Sequence, residues 1–231
     1  MWGHSRTWGL FGIRSLARID AEHLFNTDPK SFDFGFGGNE FRIVTIVNGI
    51  VAGVPASVIR SLEFHDHYCP GVTSGIMLAN YVKKHFAGSG VNAYFVHGLQ
   101  PWCKEDALMV MLNATPGKNG YAVTYATEED RSQWPDAPVD YRNVSNIIYG
   151  RKSDGSWQGL ILGFSFASIE ETGCGKYSHS AVGKLCADLW YLGRLDNPER
   201  FVKLYGSFKL EASDHPKNYA RPGGSVMWKL R

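Results

Sequence analysis

Apolar residues recur at three- and four-residue steps through Val72, Gly75, Ile76, Ala79, Val82 and Phe86. That spacing predicts a helix with one buried face, opened by Pro70-Gly71 and closed by Lys83, Lys84 and Gly88. The lysines suit the negative end of the helix dipole, and Gly88 can take the left-handed cap. VNAYFVHGL (91–99) follows as a strand. Pro101 then opens a second helix over about 101–113, apolar almost all round from Ala107 to Leu112 and therefore buried. NGYAVTYA (119–126) is the next strand. Strands are also expected at 145–150 and 157–168, turning at Ser153-Asp154-Gly155.

The flanks are less periodic. Residues 1 to about 40 are rich in Gly, Phe and Trp, and FDFGFGGNEF reads as a loop or irregular edge strand. FRIVTIVNGIVAGV (41–54) places β-branched residues around Asn48-Gly49, the strongest short signal for a hairpin. A polar stretch with Pro135 and Pro138 (127–144) reads as a long loop. Ser178 or Ser180 caps a helix to about Leu192, ended by Gly193. Asn197-Pro198 starts a short helix through Tyr205, and GSFKLEAS is a strand candidate. The expectation is an α+β fold: a mixed β-sheet with helices packed mainly on one face and an extra helical C-terminal segment. The divisions are 1–54 (N-terminal extension and hairpin), 55–170 (core) and 171–231 (C-terminal helical segment).

Composition narrows the partners. A formal net charge of +2, with no dense Lys/Arg run, argues against nucleic acid. No apolar stretch approaches the roughly 20 residues that span a bilayer, and MWGHSRTWGLFGIR lacks the plan of a secretory leader. The expected address is cytoplasmic, with no membrane contact. Four cysteines, none in a C-x-x-C pair, are too few for a disulfide scaffold.

The chemistry concentrates in FHDHYCPG, residues 64–71. In an extended segment His65, His67 and Cys69 would project to one face. Imidazole and thiolate are preferred zinc donors, and nickel, cobalt and iron accept them too. Cys69 precedes a helix start, where unpaired N–H groups favour a thiolate. Cys103 repeats that placement after Pro101, so the two helix starts could share one ion. Asp106 could orient a ligand or bound water, or simply complement the helix N-terminus. His97 ends a strand near Cys103 and is a further candidate to reach the cleft. Cys174 and His179, in a Gly-rich loop, offer a second site or a contribution from another protomer. Cys186 lies on an apolar helix face and reads as core. The tryptophans suit core and dimer packing, yet could also line a tetrapyrrole pocket, so haem stays open.

FHDHYCPG followed by an amphipathic helix resembles FHGHxCPG, the signature of the FmdE family, which takes its name from formylmethanofuran dehydrogenase. WCKEDALMVMLNATPGKNG supplies the second half: Cys103, Asp106-Ala107, Thr115 and Gly117-Lys118 stand where the family has Cys-x-x-Asp-Ala and Thr-x-Gly-Lys. The resemblance covers about residues 55–126. It implies an α+β core with a mixed sheet, often dimeric, in proteins of anaerobes. It also implies a metal site at His65, His67, Cys69 and Cys103, with Lys118, by the family match alone, a candidate to reach the cleft, and a redox or molybdoenzyme partner. Departures are Asp66 where the family commonly has Gly, Ala114 in the region of a second cysteine, and no terminal zinc ribbon. The family name describes an operon association, and no molybdopterin or iron–sulfur pattern is visible. Three roles follow: an accessory or metal-handling protein, most readily with zinc; an enzyme using an open coordination position of a metal or tetrapyrrole; or a purely structural ion.

Overall fold

A computed structural model describes residues 18–27, 34–132, 143–177 and 180–220. Its helices, among the described residues, are α1 (Ala21–Asn26), α2 (Glu40–Val51), α3 (Ala56–Phe64), α4 (Pro70–His85), α5 (Lys104–Met111), α6 (Glu128–Ser132), α7 (Ile169–Thr172) and α8 (Ser180–Leu192). The strands are β1 (Ala93–Gly98), β2 (Tyr121–Val123), β3 (Asn146–Arg151), β4 (Trp157–Phe164) and β5 (Val202–Leu210). They form one sheet in the order β2-β1-β3-β4-β5. β1 and β2 run parallel, joined through α5, and the other pairs are antiparallel. The fold is therefore α+β with a mixed sheet, as the periodicity predicts.

Strand alternation sorts the sheet residues into two cores. Val96, Ile148, Leu160 and Leu162 pack in one cluster with Leu62 of α3, Ile76 of α4, Leu108 of α5 and Tyr191 of α8. Their neighbours Phe95, Ile147, Tyr149 and Ile161 belong to a second cluster with Trp157, Leu210, Phe208 and Tyr219. The β3–β4 turn falls at Ser153-Asp154-Gly155, where Gly155 has φ 85° and Asp154 Oδ1 accepts from the Ser156 N–H at 2.9 Å.

α4 begins on Pro70, as expected, and ends with Lys83, Lys84 and His85 in its last turn, with Gly88 left-handed just beyond. Its Gly75 is required by proximity: a Cβ there would overlap the Lys104 carbonyl oxygen, so only glycine lets α4 and α5 approach this closely.

Three expectations are corrected. Residues 41–54 are no hairpin: helix α2 runs to Val51, and Asn48-Gly49 is a packing pair inside it. The buried Asn48 amide donates to Ile19 O and Val44 O at 2.8 Å each and accepts from the Ala21 N–H at 2.8 Å, fixing α1 on α2. Gly49 makes room for Leu62. After Asn197-Pro198 the expected helix is a single 3-10 turn, and the chain is extended from Val202. The segment after residue 171 is thus not simply helical: α8 forms as expected, but β5 completes the sheet along β4. The long 127–144 loop begins with α6, and 133–142 lie outside the described residues.

Candidate metal centre

FHDHYCPG is not extended. α3 runs to Phe64, and His65 caps it in helical conformation. Asp66 then takes φ 74°, a left-handed reversal, while its carboxylate meets Arg42 Nε at 2.6 Å. The chain returns through buried Tyr68, whose N–H donates to Thr45 Oγ1 at 3.0 Å. Cys69, in extended conformation, caps the start of α4, and its carbonyl accepts from the Thr73 N–H at 3.0 Å. The expectation of an extended run with three donors on one face is corrected: a helix–turn–helix brings His65 against Cys69 instead.

Cys103 arrives from the other side, as the residue before α5. A Cβ on Gly71 would lie 2.6 Å from the Cys103 Cβ, so glycine after Pro70 is what lets the two helix starts touch. The outcome is a group in which ligand atoms of His65, Cys69 and Cys103 all lie within 4.8 Å of one another. His65 Nε2 is 3.9 Å from Cys69 Sγ, and its other ring nitrogen, Nδ1, is 2.6 Å from Asp106 Oδ2. A proton on Nδ1 donated to Asp106 leaves the Nε2 lone pair for an ion, the arrangement by which a carboxylate fixes a ligating histidine.

The donors fit a transition metal in kind and in spacing. Bonds of about 2.3 Å to sulfur and about 2.0 Å to nitrogen set tetrahedral donors roughly 3.5–3.8 Å apart. The 3.9 Å between His65 Nε2 and Cys69 Sγ is close to that edge. Burial pushes the Cys69 thiol up to about 12, against the Val72 N–H that favours the thiolate. The ion-free thiol thus keeps its proton, and loading an ion releases it.

His67 is outside this group. Its ring lies between those of His65 (4.5 Å between centroids) and Phe41 (5.2 Å). Burial, with the charge of His65, holds it below the usual imidazole range. Asp106 is at the site, on His65. Lys118 is exposed and donates to Asn113 Oδ1 at 2.6 Å, in a turn that does not join the group. His97 alternates with Val96 and so shares the sheet face of Phe95, where Nε2 meets Thr124 Oγ1 at 2.8 Å. Burial pushes its pKa down to about 4.

The expected second site does not survive for Cys174, which forms a disulfide with Cys186 (S–S 2.02 Å) and has no thiolate to give. The same bond corrects the reading of Cys186 as plain core. Cys186 follows the apolar positions Val182 and Leu185, which hid the pairing. His179 lies outside the described residues.

Two buried polar groupings beside the site were not foreseen. Glu105 accepts from Asn146 Nδ2 (3.0 and 3.1 Å), from Tyr121 Oη (3.0 Å) and from Lys104 Nζ (3.1 Å). Gly98 gives that carboxylate its space, the one trace visible in the sequence. Behind Cys69, Thr73 Oγ1 donates to the fully buried Asp188 at 2.8 Å, and Tyr68 Oη donates to the Asp188 carbonyl at 3.2 Å, tying α4 to α8. Burial pushes the Asp188 carboxyl well up.

Residues 64–147 match the family model described as FmdE, molybdenum formylmethanofuran dehydrogenase operon. The match takes in His65, Cys69, Cys103 and Asp106 and ends within β3. No curated protein matches the chain. No described helix is long and apolar enough to cross a membrane.

Proposed function

We propose, on the match of residues 64–147 to the FmdE family model, that this is an FmdE-like accessory, metal-handling protein whose ion is zinc. The ligands in this reading are His65 Nε2, Cys69 Sγ and Cys103 Sγ, with Asp106 holding the His65 ring. His67 is the fourth ligand, reached by turning its side chain from Phe41 toward the ion. The observation that supports this is the convergence of the three donors within 4.8 Å at two touching helix starts. Nickel or iron would use the same donors. The family description refers to a dehydrogenase operon, which supports a molybdoenzyme or other redox partner, and a homodimer is the expected assembly.

A second reading has a specific observation behind it: three donors converge, not four. An ion with three protein ligands keeps a position for water or substrate, and a bound zinc there would supply Lewis acidity to an enzyme. Elemental analysis of purified protein tests both readings. Native chain should carry about one ion, and Cys69→Ser should lose most of it, because a three- or four-ligand site that keeps one of its two thiolates binds far less tightly. Unchanged stoichiometry in Cys69→Ser and Cys103→Ser would end the assignment. Loss of the ion in His67→Ala as well supports the closed, four-ligand site; full retention supports the open one.

A further inference from the structure

Pro70, the residue after Cys69, also lines a cavity. Between the start of α4, the segment after β4 and the outer face of α8 lies a cavity of about 290 Å3, lined by Pro70, Phe166, Gly183, Lys184, Ala187 and Tyr191 among others. Its walls are apolar, and Lys184 is the one formal charge among the described residues that line it. The mouth is aromatic and open: Phe166 is 46% exposed and packs edge-on against Trp102, itself 57% exposed. Tyr191, 1% exposed, lines it too, and its hydroxyl oxygen accepts from the Ala167 N–H at 2.7 Å, a bond that does not use the hydroxyl's own proton. The Cys174–Cys186 disulfide secures the wall, since Cys174 lines the cavity and Cys186 lies on α8.

These features select a ligand by chemistry. Apolar walls with few, separated polar points are the usual form of a small-molecule site. An exposed ammonium at the rim favours an anion. A buried hydroxyl with a free proton favours an acceptor carried inward. We propose that this cavity binds a ring-bearing organic anion, a carboxylate or sulfonate, with its charge on Lys184, its apolar body between Phe166 and α8, and an acceptor atom toward Tyr191. The inference does not depend on which metal the ion group takes.

The test is a fluorescence titration of the full-length protein with 8-anilinonaphthalene-1-sulfonate. The expected result is saturable binding of one probe per chain. Lys184→Gln should weaken it about tenfold, the effect of losing a charge-assisted contact. Lys176→Gln, a nearby lysine outside the cavity lining, should leave it unchanged. Gly183→Leu should abolish it by filling the cavity; a Cβ at Gly183 meets nothing closer than 3.7 Å, so the helix accepts the side chain. Ala187→Phe provides a second filling variant if that one does not fold. Near-ultraviolet circular dichroism and metal content, measured on each variant, separate loss of this cavity from loss of the fold or of the ion site. Absence of saturable binding overturns the proposal. So does undiminished binding in a folded filling variant, or equal weakening by the two lysine substitutions.

Discussion

Asp66 holds φ 74° at the reversal between His65 and His67. An L-residue held left-handed loses roughly 1–2 kcal/mol, less for Asp than for most, and glycine loses almost nothing. The related signature carries Gly there, and the turn explains it. In this chain the Arg42–Asp66 pair offsets part of the strain, but both side chains are more than half exposed, and such a pair contributes little. Asp66→Gly is therefore expected to keep the ion and to leave stability equal or up to about 1 kcal/mol higher. Urea denaturation checks it; a clear loss would mean that Arg42 holds the turn. His97 yields a pH dependence. Its folded pKa, about 4, lies below the ordinary 6.5, so between those values the unfolded chain binds the proton that the folded chain refuses. Stability is full above pH 6.5 and falls as pH drops toward 4, by about 3 kcal/mol if this group acts alone. His97→Gln should flatten that part of the stability profile measured by denaturant titration.

At the scale of elements, the ion group is a product of the α4–α5 seam. Gly71 admits Cys103 and Gly75 admits the Lys104 backbone. Gly75→Ala must push the helices apart, with a loss of about 1–3 kcal/mol typical of overpacking and a separation of Cys69 from Cys103. Thermal melts and metal content should fall together, although residue 75 offers no donor; an intact ion site in this variant would contradict the seam's role. The sequence made α4 legible because Pro70, the apolar spacing and the terminal lysines agree. It also disclosed the donors by residue type. It misled at Asn48-Gly49, because a turn-forming pair and a helix-packing pair look alike until Ile19, Ala21 and Leu62 are seen around them. In 64–69 His65 and Cys69 join the group and His67 does not, and the expected reason was wrong: convergence comes from a left-handed Asp66, which strand periodicity cannot express.

At the scale of the molecule, β5 belongs to the sheet, so an expected boundary at residue 170 would cut between hydrogen-bonded strands. Long-range strand partners leave no mark in local periodicity. The disulfide bears on the expected cytoplasmic address as well, since persistent disulfides are uncommon in reducing compartments. The same pairing divides the cysteines into two chemical classes: Cys174 and Cys186 bonded, Cys69 and Cys103 free. Alkylation of native protein before any reductant, followed by intact mass, should therefore add at most two labels, and both should fall away when the ion is loaded. Reductant should add two more that the ion does not shield. A preparation kept in strong reductant to protect one pair thus opens the other, and with it the wall of the cavity beside α8.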